Sequence, residues 1–272
     1  MIQKINPSFF TKLLFSYIDQ KQKLKLVKCN KRLQESIDIS IFNYRFISGK
    51  YIEYESDKIM KEYDGSSDCL IFEGEHLNAK RNGKGKEYDI NYGRLIFEGE
   101  YLNGKRNGKG KEYYGQNGKL RFEGEYLNGK RNGKGKEYDG LYDKLKYEGE
   151  YMNGKRNGKG KEFYTNGKLK FEGEYLYGFR LKGKFYVNEK LEFEGEYLYD
   201  KKWNGKGYDE NGNIIYELIN GSGKAKEYED DGRLKYEGEY LNGKRNGKGK
   251  EYDFLCMVEF EGEYLNGKRI KK

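Results

Sequence analysis

The 272-residue sequence predicts a mainly β protein: an elongated, single-layer antiparallel solenoid of stacked β-hairpins with a small N-terminal helical module. Three observations predict it. The tripeptide Glu-Gly-Glu starts at residues 73, 98, 123, 148, 172, 194, 237 and 261, and the degraded forms "ELI" at 217 and "SGK" at 48 extend the series to ten units spaced 20 to 25 residues apart. Around each copy, apolar and polar residues alternate with a period of two, the pattern of a half-buried strand. The composition then limits thickness: 35% hydrophobic against 36% charged, with 38 Gly and one Pro, is too little apolar matter for a deep core. Yet 28 Tyr and 15 Phe help to make the chain 16% aromatic, the opposite of a solvated, disordered sequence.

Taken in chain order, residues 1 to 44 form the first element and contain no glycine. Asn6 can cap a helix with Pro7 at its first position, and Phe10, Leu13, Leu14 and Tyr17 recur on one stripe, which predicts a helix over about 7 to 18. Leu24, Val27 and Leu33 then alternate with Lys-rich positions, predicting one or two short helices over 20 to 37. Pro7, Leu13, Leu14, Ile18, Leu24 and Val27 are the candidate contact residues of this head. It could dock on a partner, cover the first hairpin as a cap, or pair with a second copy in a homodimer. The apolar run "FFTKLLF" is interrupted by Lys12 and is too short for a membrane span or a signal peptide, so a soluble chain is expected.

Residues 45 to 272 are the array, with the first unit and the 175 to 230 region degenerate. In the full unit "KLRFEGEYLNGKRNGKGKEYDG", from 119 to 140, Leu120, Phe122, Gly124 and Tyr126 alternate with Arg121, Glu123 and Glu125. Asn128-Gly129 supplies the turn residues, and "GKGKEYD" reads as a shorter return strand, making one hairpin per unit. A lone hairpin is marginal, so neighbours must supply the core. Phe97, Gly99 and Tyr101, Phe122, Gly124 and Tyr126, and Tyr147, Gly149 and Tyr151 are the expected packing triplets, the glycines leaving room for rings. The face occupied by Tyr138 is left open, because alternation opposes it to Gly133, Gly135 and Glu137 unless a bulge intervenes.

The run "FEGEYLNGKRNGKGKEY" resembles the MORN family, whose units combine an aromatic-x-Gly-x-aromatic segment, a Gly turn and a Gly-x-Gly strand. The resemblance covers about 48 to 272 and implies a MORN-type hairpin solenoid acting as a scaffold. Where the family places an aromatic after Gly-x-Gly, this chain has Glu137 and then Tyr138. Within about residues 5 to 40, Pro7, "LLFSYID" and "LVKCNKRL" also resemble an F-box. That resemblance implies a three-helix module docking on the adaptor of a cullin ubiquitin ligase while the array recruits substrates.

Charge and chemistry narrow the function classes. The balance of 54 Lys plus Arg against 45 Asp plus Glu gives +9, spread through a densely charged chain. The pairs Lys105/Arg106, Lys130/Arg131, Lys155/Arg156 and Lys244/Arg245 follow the turns and predict a basic line along one margin, suited to a protein partner or to anionic phospholipid headgroups. Interspersed glutamates disfavour nucleic acid. Cys29, Cys69 and Cys256 are far apart and three in number, which fits a reducing, intracellular and cytoplasmic setting rather than a disulfide framework.

No constellation supports catalysis. His76, the one histidine, stands where tyrosine stands at 101, 126, 151 and 175, so its expected role is to fill an aromatic position. The Glu73/Glu75, Glu98/Glu100 and Glu123/Glu125 pairs share a strand face as paired carboxylates do in some hydrolases, but repetition and facing Lys134 and Lys136 make cross-strand pairing the expectation. "GKRNGKGKE" lacks the Ser or Thr of a nucleotide loop and its strand-to-helix setting. The expectation is a non-catalytic protein with no cofactor and no metal site.

Overall fold

The computed structural model describes residue 17, residues 49–229 and residues 231–270. The expected helical head and its candidate residues Pro7, Leu13, Leu14, Ile18, Leu24 and Val27 lie outside the described residues. Among the described residues, twenty strands from Lys50 onward form one sheet. The first ten are β1 (Lys50–Tyr54), β2 (Ile59–Asp64), β3 (Leu70–Leu77), β4 (Lys80–Tyr88), β5 (Leu95–Leu102), β6 (Lys105–Tyr113), β7 (Leu120–Leu127), β8 (Lys130–Tyr138), β9 (Leu145–Met152) and β10 (Lys155–Phe163). The rest are β11 (Leu169–Leu176), β12 (Phe179–Val187), β13 (Lys190–Leu198), β14 (Lys201–Tyr208), β15 (Ile214–Ile219), β16 (Ser222–Tyr228), β17 (Leu234–Leu241), β18 (Lys244–Tyr252), β19 (Val258–Leu265) and β20 (Lys268–Arg269). Each pairs antiparallel with its chain neighbours, so the sheet is an open meander of hairpins, as the repeat pattern predicts.

The unit β7–β8 shows why this sequence takes this form. Asn128 (φ 51°) and Gly129 (φ 86°) both adopt positive φ, the requirement of a two-residue turn whose twist matches the strands. The Gly129 N–H donates to Arg106 O of the previous hairpin at 2.8 Å, so each turn is also a rung between units. The return strand is longer than the sequence suggests. It begins at Lys130, directly after the turn, with Lys130 opposite Leu127 and Arg131 opposite Tyr126. Between Arg131 and Gly135 the register slips, so that Glu125 faces several residues, among them Gly133 at φ 84°. That left-handed φ favours glycine at this bulge, and a Cβ there would also displace the Glu125 carboxylate, 2.3 Å away.

A second bulge settles the face of Tyr138. Glu137 pairs with Tyr147 but Tyr138 pairs with Leu145, which moves Tyr138 out of simple alternation. Its hydroxyl donates to Glu123 Oε1 at 2.7 Å. Glu123 is the cross-strand partner of Lys136, so Tyr138 stands on the charged face, away from Phe122. Burial and this bond push the phenol up to about 12.

The start of the array differs from expectation. Ile52 is opposite Glu62, Glu53 opposite Lys61 and Tyr54 opposite Met60, which aligns Glu53-Tyr54-Glu55 with Glu-Gly-Glu. The expected alignment on "SGK" at 48 is therefore incorrect by five residues, because β1 lies next to β2 through a short loop and the loop length, not the repeat spacing, sets its register. Ile52 is too small to cross the space that Phe122 fills elsewhere, and fully buried Met60 fills it from the position of the second glycine.

Candidate functional site

The sheet has two chemically distinct faces. On one, Phe122 is fully buried and its ring lies across Gly124 and Gly135, which pair with each other; a Cβ on Gly135 would come within 2.4 Å of Phe122 Cζ. Tyr126 meets Phe97 edge-on at 5.2 Å, and Tyr151 meets Phe122 in the same way at 5.2 Å. Phe97, Tyr101 and Tyr147 belong to the same interlocked row, so the ring across each glycine pair is packed by the tyrosine of the next hairpin and by the one on its own strand. Gly99 and Gly149 make the corresponding space for Phe97 and Tyr147. Phe97, Tyr101, Phe122, Tyr126, Tyr147 and Tyr151 all lie in the buried cluster of this face.

The arginines close this face. Arg131 lies over Phe122, with Cζ 4.0 Å from the ring centroid. One end of its guanidinium reaches Glu112 of the preceding unit at 2.5 Å and the other reaches Glu137 of its own at 3.1 Å. The same arrangement repeats along Glu62, Arg81, Glu87, Arg106, Glu112, Arg131, Glu137, Arg156, Glu162 and Arg180, a ladder of alternating charge across the hairpins. Tyr126 Oη adds a bond to Glu112 at 2.8 Å. Burial alone would push the Glu112 carboxyl up, but the Arg131 bond and charge, with Tyr126 and Arg106, hold it below its ordinary value. A second, shorter stretch joins Glu227, Arg245, Glu251 and Arg269.

This corrects the expected basic line. Lys105, Lys130, Lys155 and Lys244 are exposed at the turn margin. Arg106, Arg131, Arg156 and Arg245 are turned to the aromatic face, about four-fifths buried, and hold the carboxylates. Consecutive strand residues point to opposite sides, and residues read as a turn are strand residues. The available margin therefore carries lysine beside exposed leucine, as in the opposed pair Leu127 and Lys130.

Between β12 and β16 the ladder changes. Phe185 and Gly207 stand where Glu137 stands in its unit, and Lys202 takes the Arg131 position. Glu192, skipped by the β12–β13 pairing, turns inward and forms an ion pair with Lys202. Lys202 Nζ also donates to Tyr216 Oη and Lys226 O, each at 3.0 Å. The rings of Phe193, Phe185, Tyr216 and Tyr228 surround it at 5.0, 5.4, 5.7 and 5.8 Å. Desolvation lowers the Lys202 pKa despite Glu192. Phe185 and Tyr228 come within 6.2 Å although four strand spacings of about 4.8 Å separate their strands in a flat sheet, so the sheet curls around this ammonium. Nothing local in the sequence marks this cage, because Glu192 arrives from a bulge and Tyr228 from a remote strand.

The opposite face carries a trough of about 1530 Å³ that runs from Glu55 and Ile59 to Glu194. Its floor is main chain at five glycine pairs, Gly74/Gly85 through Gly173/Gly183, because the rings that fill the glycine positions lie behind the sheet. Its flanks are charged in transverse bands: Glu73 and Glu75 on β3, Lys84 and Lys86 on β4, Glu98 and Glu100 on β5, Lys109 and Lys111 on β6, and onward. Twelve glutamates and ten lysines line it. The cross-strand ion pairs are loose, at 3.8 Å for Lys86 with Glu73 and 3.9 Å for Lys161 with Glu172, and half-exposed, so they hold little stability and can be exchanged. The sequence signalled these residues as cross-strand pairs but not the concavity they border.

The other candidates are placed simply. His76 is opposite Arg81 and lies against Tyr54, with 5.0 Å between ring centroids, in the position that tyrosine fills in later units. Cys69 is half-buried and Cys256 exposed. Among the described residues, no helix is long and apolar enough to cross a membrane, and no group of three or more His, Cys, Asp or Glu side chains could hold a metal ion.

An open antiparallel array of glycine-spaced hairpins, aromatic on one face and trough-like on the other, defines a β-solenoid repeat protein. The MORN repeat model matches residues 72–94, 97–119, 122–140, 147–168 and 236–253, and from 72 to 253 the chain is a MORN-repeat protein. The curated proteins contain no match. Among solved structures, the chain is similar to the crystal structure of TarM at 14% identity over 54% of this chain, with a TM-score of 0.27. It is similar also to an S. aureus TarM mutant in complex with fondaparinux, alpha-GlcNAc-glycerol and UDP, at 15% identity over 58% of this chain and the same TM-score of 0.27. The chain spans 27% of each of those proteins, and so distant a likeness carries no inference about what this one does.

Proposed function

We propose that this protein is a non-catalytic scaffold whose glycine-floored trough is the contact surface for a protein partner. The observation that carries this reading is the division of labour between faces. The buried aromatic row and the ladder arginines are consumed in packing the array, whereas the trough presents a continuous, side-chain-poor floor between loosely paired charges over several hairpins. The repeat fold supports an extended interaction surface in general. Tagged protein should retain a partner that is lost in the triple variant K111E/K136E/K161E, with an unchanged thermal midpoint showing that the array still folds. Retention of every partner by that variant would refute the trough.

The exposed pairing of Leu127 with Lys130, repeated at Leu102 with Lys105, supports a second reading, peripheral contact with anionic headgroups along the turn margin. It predicts salt-sensitive sedimentation with phosphatidylserine vesicles, abolished by K105E/K130E/K155E. The F-box-like head suggests a ligase-adaptor contact, tested by adaptor copurification and its loss on Leu13→Asp with Leu14→Asp.

A further inference from the structure

The trough also carries information about the chemistry of its occupant. From the spacing of its charges, and resting on the trough being a contact surface, we propose that it accepts an extended, polyproline-II-like peptide segment with a three-residue repeat of basic, small apolar and acidic side chains.

Strands lie about 4.8 Å apart, so bands of like charge recur every two strands, about 9.6 Å. A polyproline II chain rises about 3.1 Å per residue and returns to the same face every three, about 9.3 Å. Its mismatch accumulates to only about 1.5 Å over five bands. An α-helix offers about 10.5 Å for seven residues and drifts by about half a period over the same length. Width agrees. The two glutamates of β5, Glu98 and Glu100, stand two residues apart on one strand, roughly 7 Å, with Gly99 between them as floor. That width seats one extended chain, whereas a helix with side chains is about 10–12 Å across.

Three side-chain columns at 120° then match three surfaces. The apolar column faces the glycine floor, where only main chain and the methylene stems of the flanking lysines and glutamates are in reach. The basic column follows one wall and meets its glutamates. The acidic column follows the other and meets its lysines, because each wall alternates Glu and Lys from strand to strand. A polyanion is a poor fit: each lysine band lies between glutamate bands, and carboxylates outnumber ammonium groups in the lining.

The test uses full-length protein and three fluorescein-labelled 18-residue peptides, about 56 Å long as polyproline II. They are six Lys-Pro-Glu repeats, the same composition arranged as blocks of Lys, Pro and Glu, and six Lys-Pro-Ser repeats. Fluorescence anisotropy should show the alternating peptide binding at least tenfold more tightly than either control, and at least tenfold more weakly to K111E/K136E/K161E. Equal binding of all three, tightest binding of the block or all-basic peptide, indifference to the variant, or no binding of any peptide would each overturn the proposal. Partner retention with loss in the same variant would leave the trough standing even then, whereas partner retention without loss removes both.

Discussion

The hairpins from β3 to β11 and the segment from β12 to β16 solve one problem in two ways. Both must bring a cation over an aromatic ring on the packed face. In the regular hairpins the cation is arginine, planar enough to lie on Phe122 while its two ends reach carboxylates of successive units. In the later segment the carboxylate column is replaced at Phe185 and Gly207, and the cation is Lys202, held by one glutamate and enclosed by four rings. Arginine can be shared between repeats and so propagates the array. Lysine is satisfied at one point and interrupts it. The pairing of β15 with β16 weakens in the same segment, with only Leu218 opposite Gly223 and Ile219 opposite Ser222.

The largest effect that separates the two regions is expected at Lys202. Lys202→Met leaves Glu192 buried without its cation and should cost about 3–5 kcal/mol in urea unfolding. Adding Glu192→Leu should recover most of that loss, since the buried charge is gone. Arg131→Met should cost less, about 2 kcal/mol, because Glu112 and Glu137 retain Arg106 and Arg156 as partners. If Arg131→Met costs as much as Lys202→Met, sharing along the ladder gives no resilience.

Acid should distinguish them as well. The folded-state pKa of Glu112 and of Glu137 lies below the ordinary 4.5, so their contribution is present above that value and is lost as pH falls through the lower folded values. Wild-type stability should fall steeply below about pH 4, and the fall should be shallower in a Glu112→Gln, Glu137→Gln protein. Equal slopes would remove the ladder carboxylates as its source. Hydrogen exchange should find the amides of β15 and β16 opening before those of β7 and β8, and uniform protection across both would erase the seam. The smallest effect is at a turn. Ala79 has φ 57° where Gly104 and Gly129 stand in later units, so Ala79→Gly should stabilise by about 0.5–1 kcal/mol in the same urea measurement.

The regular region was legible in the sequence and the seam was not, for a physical reason. Alternation around Phe122, the positive-φ turn at Asn128-Gly129 and the vacancy beside Gly124 are local properties repeated many times. The side chosen by Arg131 was hidden because it depends on a two-residue turn followed by a bulge at Gly133, and the side of Tyr138 because it depends on a second bulge opposite β9. The register of β1 was set by a loop rather than by the repeat. The Lys202 cage depends on contacts between strands far apart in sequence, which a periodic pattern does not encode, and the trough on the rings behind the sheet leaving the glycine floor bare between its charged flanks.

In the proposed scaffold the lysines of the trough face contact the partner, while the lysines of the turn margin do not and the arginines are internal. The direct measurement is partner retention by two folded variants of equal charge change, K111E/K136E/K161E on the trough and K105E/K130E/K155E on the margin, with melting curves for both. The partner should be lost by the first and retained by the second. Retention in the first with loss in the second would contradict it and place the contact on the turns.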